Sequence, residues 1–233
     1  MSVQLEVELE MASRLGPYEL NTIVTGDARE LAKAIPDESV DLILTDPPYP
    51  KEYLPLFEWL GHESSRMLKS DGFLITLTGQ NYFDVVFASL SRHLYFYWIG
   101  AMKHHEGMAY RFHPKHIMSS WKPTLWFTKS TPRSHPYVFD LIYNPRDKRF
   151  HKWGQGTAWF SYYISKLTTV ESVLFDPFCG GGTVPTVCKM LGRNYLAFEI
   201  DPATAELARE RVRLTQPPLF VPETEQLSFT DDI

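Results

Sequence analysis

Runs of consecutive apolar residues alternate along the chain with longer stretches in which apolar residues recur at helical spacing. The runs have the length of strands: NTIVT (21–25), VDLILT (40–45), FLITLT (73–78), LYFYWIGAM (94–102), PTLWFTK (123–129), SVLFD (172–176) and YLAFEI (195–200). Helical spacing predicts helices at about 52–69, 83–90, 157–167, 184–191 and 202–214, and a shorter one before Pro36. Strands that alternate with helices predict an open α/β fold with a parallel sheet.

The pattern also predicts how the chain is divided. Residues 21–214 form one domain, and its near-continuous apolar runs are typical of strands covered on both faces. The strand around Trp126 follows its predecessor closely enough to pair with it antiparallel. Residues 1–20 show no clear core pattern and are expected to form a loose arm. The proline-rich, acidic stretch 215–233 is expected to be a flexible tail.

Composition places the chain among globular proteins that stay out of the membrane. Of its 233 residues, 44% are hydrophobic and 22% charged, and no apolar run reaches the length of a membrane span. The N-terminal stretch lacks the basic and then apolar order of a secretory signal. Cys179 and Cys188 form no disulfide framework. These features favour a cytoplasmic protein.

Charge is distributed unevenly along the chain. Residues 103–152 contain ten basic and three acidic residues, so this segment carries +7 and the remainder −12 of the net −5. Tryptophans and tyrosines are interspersed with the basic residues. A basic segment with aromatic residues favours an anionic partner such as nucleic acid, although a solvated surface could have the same composition.

A glycine-rich loop, Asp176-Pro-Phe-Cys-Gly-Gly-Gly-Thr183, joins a predicted strand to a predicted helix. Glycines let the backbone approach a ligand closely, and the first turn of a helix offers unpaired amides. Glu199 ends the next strand, where a carboxylate can accept hydrogen bonds from a ribose diol. No lysine follows the glycines, so a triphosphate site is not expected. The loop predicts a nucleoside-containing cofactor.

A second loop, Asp46-Pro47-Pro48-Tyr49, follows a buried strand at its carboxyl end, where open α/β sheets place their sites. An aromatic amine is a poor nucleophile until acceptors hold its hydrogens and free its lone pair. The Asp46 carboxylate and the Pro47 carbonyl provide two acceptors, which the prolines keep rigid. The ring of Tyr49 offers a surface on which an extruded base can stack.

Other chemistries find less support in the sequence. Neither cysteine follows a proline, so the nucleophile used to methylate carbon 5 of cytosine is missing. His104, His105, His113 and His116 lie in an aperiodic stretch without a helical HxxxH pattern or nearby cysteines. No metal site is therefore expected.

Together the two loops resemble those of the S-adenosylmethionine-dependent DNA amino-methyltransferases, which methylate N6 of adenine or N4 of cytosine. The similarity extends from about Asn21 to Leu214, with the catalytic loop before the glycine loop, the permuted beta-type order of this family. The resemblance implies a Rossmann-like class I methyltransferase with a seven-stranded, mostly parallel sheet and helices on both faces. It also implies S-adenosylmethionine as cofactor and a prokaryotic or phage-infected cell as the setting.

The resemblance assigns roles position by position. It makes Asp46, Pro47, Pro48 and Tyr49 catalytic. It assigns cofactor binding to Asp27, Ala28, Asp176, Phe178, Cys179, Gly180, Gly182, Thr183 and Glu199. The run HKWGQG (151–156) stands where the remaining cofactor motif lies, but only its histidine matches. Pro50 also departs from the asparagine common after the tyrosine.

The target-recognition region implied by the resemblance lies within about 103–150, mainly in 103–120 and 130–150. The expected DNA-binding residues are Arg111, Lys115, Arg146, Lys148 and Arg149. The partner is double-stranded DNA, methylated at a specific site, with adenine favoured because the catalytic loop begins with aspartate. Such short recognition segments suggest a brief target, a homodimer or help from a partner. The resemblance leaves open whether a cognate restriction enzyme exists.

Three alternatives stay open from the sequence. The chain could methylate an RNA base or a protein amide, because those families also use a similar proline loop, although usually after the cofactor loop. It could also be an inactive relative that only binds DNA. In that case damage to Asp46, Tyr49 or the glycines is expected, and all are intact.

Overall fold

A computed structural model of the chain describes residues 13–103, 115–130, 135–144 and 156–216, and the backbone of 110–112. The strands in chain order are β1 (Arg14–Leu15), β2 (Tyr18–Glu19), β3 (Thr22–Thr25), β4 (Val40–Thr45), β5 (Leu68–Leu77), β6 (Tyr95–Lys103), β7 (Tyr110–Phe112), β8 (Ile117–Ser119), β9 (Trp121–Thr128), β10 (Leu141–Tyr143), β11 (Val173–Asp176) and β12 (Asn194–Glu199). The α-helices are α1 (Ala28–Leu31), α2 (Pro55–Met67), α3 (Phe83–Ser91), α4 (Ala158–Leu167), α5 (Thr183–Leu191) and α6 (Pro202–Leu214).

Within the described residues, the central sheet has eight strands in the order β10–β6–β9–β5–β4–β11–β12–β3. The five strands from β5 to β3 run parallel to one another. β9 pairs antiparallel with both β5 and β6, as the sequence predicts for the strand around Trp126. The carboxyl ends of β3, β12, β11 and β4 therefore lie side by side at one edge of the sheet. The predicted α/β fold with a mostly parallel sheet is confirmed.

Helices cover both faces of the sheet because its central strands are apolar on both sides. All six residues of β4 are buried. Leu42 and Leu44 pack in one cluster with residues of α4, α5 and α6. Ile43 points the other way and packs in a second cluster with residues of α1, α2 and α3. This alternation with a period of two residues gives the domain three layers, with the sheet in the middle.

The structure differs from the sequence predictions at its shortest elements. The sheet has eight strands and not seven, because β10 pairs with the outer side of β6. Residues 13–20 form the β1–β2 hairpin with Leu15 and Leu20 buried, so the prediction of a loose arm is wrong for this part. β7 and β8 pair within the stretch predicted to be aperiodic. These strands are only two or three residues long, too short to show a period in the sequence.

Two further findings bear on the predicted boundaries. Within the described ranges, no helix is long and apolar enough to cross a membrane. The α6 helix ends at Leu214, as predicted, and residues 217–233 of the predicted tail lie outside the described residues.

Candidate active site

The two predicted loops border a single cavity of about 880 Å³ at the carboxyl edge of the parallel strands. The cavity is lined by all four predicted catalytic residues, Asp46 to Tyr49. It is also lined by eight of the nine predicted cofactor residues: Asp27, Ala28, Asp176, Phe178, Cys179, Gly180, Thr183 and Glu199. The exception is Gly182. Because β4 and β11 are neighbours in the sheet, residues as distant in sequence as Thr45 and Asp176, 131 positions apart, come together.

The carboxylate of Asp46 is held at both of its oxygens. Oδ1 accepts a hydrogen bond from the hydroxyl of Tyr49, three residues further along the same loop. Oδ2 accepts one from Nζ of Lys122 on β9, at 3.0 Å. Both side chains of this ion pair are largely shielded, with 18% of Lys122 and 23% of Asp46 exposed. The acceptor needed for amine chemistry is therefore aimed by its neighbours.

The ring of Tyr49 lies inside this arrangement. It packs against Gly79, where an added Cβ would come within 3.5 Å of the ring. The ammonium of Lys122 lies 4.9 Å from the ring centroid, which is within range of a cation–π contact. Burial and the neighbouring Asp46 carboxylate raise the pKa of the Tyr49 hydroxyl well above its usual range. The hydroxyl therefore stays protonated and donates to Asp46.

The glycine loop is held by hydrogen bonds that its main-chain amides donate. The amide of Cys179 donates to the carbonyl of Phe198 at 3.0 Å, and that of Gly180 donates to Oε2 of Glu199 at 2.9 Å. Gly180 has a φ of +50°, in the left-handed region that favours glycine. An added Cβ there would meet no atom within 4 Å, because it would point into open space. Gly180 thus leaves room for a ligand next to the backbone.

Gly182 has a different role from the predicted one. Its φ is +72°, and an added Cβ would come within 2.9 Å of Cβ of Ala208. Gly182 therefore allows the start of α5 to approach α6 closely, and it does not line the cavity. Its assignment to cofactor contact is not supported by its position; helix packing explains this glycine instead.

Arg211 of α6 also holds the glycine loop in place. Its guanidinium is buried and donates to the carbonyl of Gly181 and to Oγ1 of Thr183, both at 3.0 Å. The hydroxyl of Thr183 still has its own hydrogen to donate towards the cavity. Arg211 is not predicted from the sequence, because no pattern within α6 singles it out from the other arginines of that helix.

Glu199 and Asp27 lie at the ends of neighbouring parallel strands. Oε1 of Glu199 accepts from the amide of Asp201, also at 2.9 Å, so each carboxylate oxygen is oriented by one amide. Each oxygen keeps acceptor capacity for a hydroxyl in the cavity. Asp27 caps α1 and bonds to the guanidinium of Arg29 through both of its oxygens. This hydrogen bonding with Arg29 lowers the pKa of Asp27.

Asp176 is the most deeply buried acid of the cavity lining, with 3% of its surface exposed. Its Oδ1 accepts from the hydroxyl of Thr45 at 2.7 Å and from the amide of Phe178 at 3.2 Å. Burial, with added repulsion from Asp46 and Glu199, raises its pKa to about 7. The carboxyl therefore changes its charge near neutral pH, and a cation in the cavity would favour its ionised form.

The lining as a whole suits a ligand that is cationic in one part and apolar in another. It contains more acidic than basic side chains: Asp27, Asp46, Glu52, Asp176 and Glu199 against Arg29 and Lys122. It also contains Ile200, an apolar side chain that is 65% exposed. A nucleoside joined to a positively charged group matches both features, and the open space beside Gly180 leaves room for it.

Lys122 and Asn144 are two of the lining residues that are not among the predicted site residues. From the sequence, Lys122 is only one of the basic residues of 103–152. Asn144 is buried, accepts from the amide of Trp159 through its side-chain oxygen and lies next to the cavity. One signal could have found Lys122: it stands at the start of a strand that runs antiparallel, so it must lie at the carboxyl edge of the parallel strands.

The predicted DNA-binding residues lie mostly outside the described ranges. Lys115 is exposed, and only the backbone of Arg111 is described. Arg146, Lys148 and Arg149 lie outside the described residues, as do residues 151–155 of the remaining cofactor motif. His116 is the one member of the histidine-rich stretch whose side chain is described. Among the residues that the structure describes, no group of acidic, histidine or cysteine side chains could hold a metal.

Comparison with known sequences points to one family. A family model described as DNA methylase matches residues 147–210. The type II methyltransferase M.HpaI of Haemophilus parainfluenzae is 23% identical over 231 residues, covering 82% of this chain and 73% of its own length. The similarity therefore extends over most of the domain and is not limited to the glycine loop.

Solved structures agree in fold. The cytosine-N4-specific PvuII DNA methyltransferase superposes with a TM-score of 0.71 at 17% identity, over 81% of this chain and 85% of its own. A complex of M1.HpyAVI with SAM superposes with a TM-score of 0.67 at 23% identity, over 82% of this chain and 98% of its own. The fold is that of the class I methyltransferases.

These similarities support the resemblance of the chain to the DNA amino-methyltransferases, which act on N6 of adenine or N4 of cytosine. The resemblance drawn from the two loops is thereby confirmed. The permuted motif order stays a prediction.

Proposed function

We propose that the protein transfers the methyl group of S-adenosylmethionine to an exocyclic amine of double-stranded DNA, at N6 of adenine in preference to N4 of cytosine. The observation that carries this proposal is the shared cavity, in which Asp46 and Glu199 face one space from strands of the same sheet edge. The preference for adenine rests on the aspartate that opens the catalytic loop. The SAM bound to M1.HpyAVI, which shares this fold, supports the choice of cofactor.

The glycine-loop side of the cavity would hold the cofactor. Glu199 is placed to accept the ribose hydroxyls, Gly180 leaves space for the methionine part, and Ile200 offers an apolar contact for the adenine ring. When bound, S-adenosylmethionine supplies an electrophilic methyl group on a sulfonium. The ionised forms of Asp176 and Asp46 favour a cationic ligand on electrostatic grounds.

The catalytic-loop side would hold the target base. A base taken out of the duplex can stack on Tyr49, and its amine can donate hydrogen bonds to the Asp46 carboxylate and the Pro47 carbonyl. These acceptors direct the nitrogen lone pair towards the methyl group and stabilise the positive charge that develops on the amine. As the nitrogen–methyl bond formed, the methyl–sulfur bond would break and leave a neutral thioether, and the amine would lose one proton, for which the Asp46 carboxylate is an acceptor within the loop.

Methylation of DNA by the purified protein tests the proposal. Unmethylated duplex DNA of high sequence complexity is incubated with S-adenosylmethionine, digested to nucleosides and examined by mass spectrometry. We expect N6-methyldeoxyadenosine from the wild type and none from Asp46→Ala. N4-methyldeoxycytidine in its place would overturn the base preference alone. Methyl transfer to RNA or protein, with none to DNA, would overturn the proposed substrate.

A further inference from the structure

Lys122 is placed at the active site by the direction of its strand. β9 runs antiparallel to β5, and the amide of Thr78 donates to the carbonyl of Pro123 at 3.1 Å, just beyond the end of β5. The start of β9 therefore lies at the carboxyl edge of the parallel strands. Lys122 is the second residue of this strand, and its side chain lines the cavity between the two loops.

Its ammonium contacts both catalytic side chains. It lies 3.0 Å from Oδ2 of Asp46 and 4.9 Å from the ring centroid of Tyr49. Only 18% of the Lys122 side chain is exposed, so the interaction is less screened than a surface ion pair. A basic residue that served only to attract DNA would extend into solvent, as exposed Lys115 does.

We propose that Lys122 is a positioning residue for methyl transfer, which holds Oδ2 of Asp46 while Oδ1 receives the target amine. This inference rests on the proposed function. The two oxygens of Asp46 have unequal partners, a neutral hydroxyl at Oδ1 and a cation at Oδ2. A hydrogen bond between two charged groups is stronger than one from a neutral donor, so the hydroxyl of Tyr49 is the partner that yields to the amine.

Because the Lys122 ammonium contacts both groups, it relates the direction of the Asp46 carboxylate to the plane of the Tyr49 ring. The base must stack on the ring and donate to the carboxylate at once, so the two groups need a fixed relative orientation. Among the described side chains, Lys122 contacts both of them from outside the loop. Its loss would remove the charged partner of Oδ2, so the direction of the carboxylate would be set less tightly although the prolines still hold the backbone.

Three variants test the proposal on the full chain with S-adenosylmethionine and methylatable DNA. Lys122→Met keeps the length of the side chain and removes its charge, Lys122→Arg keeps the charge, and Lys166→Met alters an exposed lysine of α4 outside the cavity lining. We expect Lys122→Met to lower kcat about 10- to 100-fold, since misplacement by about 1 Å can cost that much. KM for DNA and the calorimetric Kd for the cofactor should stay within about threefold. Lys122→Arg should restore most of kcat, and Lys166→Met should match the wild type.

Several outcomes would overturn this role. A raised KM for DNA with unchanged kcat would make Lys122 a DNA contact. A loss of kcat that follows the unfolded fraction, without rescue by arginine, would make it structural. A readout independent of turnover is the Tm of Lys122→Met, Asp46→Asn and the double variant, where additive shifts would exclude the ion pair. If the wild type methylates no DNA, both the proposed function and the role of Lys122 in methyl transfer are overturned. If the wild type is active and Lys122→Met is fully active as well, only the role of Lys122 is overturned.

Discussion

The two loops that border the cavity are held in place by different kinds of contact. The glycine loop is fixed through its own main-chain groups: the amide of Cys179 bonds to the carbonyl of Phe198, the amide of Gly180 to the carboxylate of Glu199, and the carbonyl of Gly181 to the buried guanidinium of Arg211. The catalytic loop depends on side chains, because Tyr49 and Lys122 hold the two oxygens of Asp46. Its prolines stiffen the backbone but provide no hydrogen-bond donor.

This difference matches the two tasks that we propose. A cofactor site can be complete before its ligand arrives, because the amides and the carboxylate that bind it are already oriented. A target-base site has to receive a base from outside, and side-chain contacts can be exchanged more readily than main-chain contacts. The comparison predicts that variants on the glycine side change cofactor affinity, whereas variants on the catalytic side change turnover or capture of the target base and leave cofactor affinity intact.

Removal of the Asp46 carboxylate should have the largest effect. We expect Asp46→Ala to lower kcat by on the order of 10²-fold or more, because one preorganised acceptor is removed. The calorimetric Kd for S-adenosylmethionine should change little, since the cofactor contacts lie on the other loop. Asp37→Ala, which alters an exposed carboxylate outside the cavity lining, is the matched control. Near-normal methylation by Asp46→Ala would contradict the mechanism proposed for the catalytic loop.

Changes in the glycine loop should act on cofactor binding. Glu199→Ala removes the proposed acceptor of the ribose hydroxyls and the partner of the Gly180 amide, and hydrogen bonds to a charged group contribute about 1.5–3 kcal/mol. We expect Kd for S-adenosylmethionine to rise about 10- to 100-fold. Gly180→Asp should have a similar effect, because its side chain would occupy the open space of the cavity.

The effect of Gly180 can be separated from backbone strain. Gly180→Ala adds only a Cβ at the same φ of +50° and should weaken binding less than Gly180→Asp. Calorimetry on variants with an unchanged circular dichroism spectrum provides the measurement. Unchanged affinity in a folded Gly180→Asp, Glu199→Ala double variant would place the cofactor elsewhere.

Tyr49 should show a smaller effect, on capture of the base. Base–aromatic stacking contributes roughly 1–3 kcal/mol, so Tyr49→Ala should raise KM for DNA about tenfold or more while leaving cofactor affinity intact. Tyr49→Phe and Tyr49→Trp should retain activity, because the ring is kept and the amine must displace the hydroxyl from Oδ1 of Asp46 in any case. If the phenylalanine variant is as poor as the alanine variant, the hydroxyl takes part in the reaction.

Much of this arrangement could be predicted from the sequence, because its main elements are long and apolar. The predicted bounds of β4, 40–45, are the observed ones, since every residue in it is buried and the prolines stop it abruptly. The position of the two loops at one edge of the sheet could also be predicted, because parallel strands bring their carboxyl ends to one side. Motifs at strand ends can therefore be placed together from the sequence alone.

What escaped prediction depends on contacts between distant parts of the chain. β10 is a three-residue edge strand without periodicity, which added an eighth strand to the expected seven. The glycine at position 182 matched a cofactor motif, yet its missing side chain makes room for Ala208. Lys122 and Asp46 are 76 positions apart, and only the pairing of β9 with β5 brings them together.

The basic segment 103–152 should supply affinity for DNA, although each residue contributes little. Two of the ten basic residues of this segment are already paired with acidic side chains and are not expected to bind phosphate. Lys122 bonds to Asp46, and Lys129 bonds to Glu38 at 2.8 Å. Lys115 is exposed, and Arg111, Arg146, Lys148 and Arg149 remain the other predicted DNA-binding residues. Removal of one basic residue that binds a phosphate should flatten the slope of log K against log salt by about one unit.

Paired neutral substitutions within the predicted set, such as Lys115→Ala with Arg111→Ala, should therefore weaken binding to all duplexes without affecting the cofactor. Lys129→Ala is the internal control, because its ammonium is already paired with Glu38 and its removal should leave the salt slope unchanged. The salt slope distinguishes a lysine that binds phosphate from one that is paired within the protein, even where the change in affinity is small. The reason is that the slope reports released counterions and not overall stability. Equal slopes for the wild type, the paired variant and Lys129→Ala would move the DNA-binding surface away from this segment. A change in the methylated sequence, mapped on the same variants, would assign target choice to it as well.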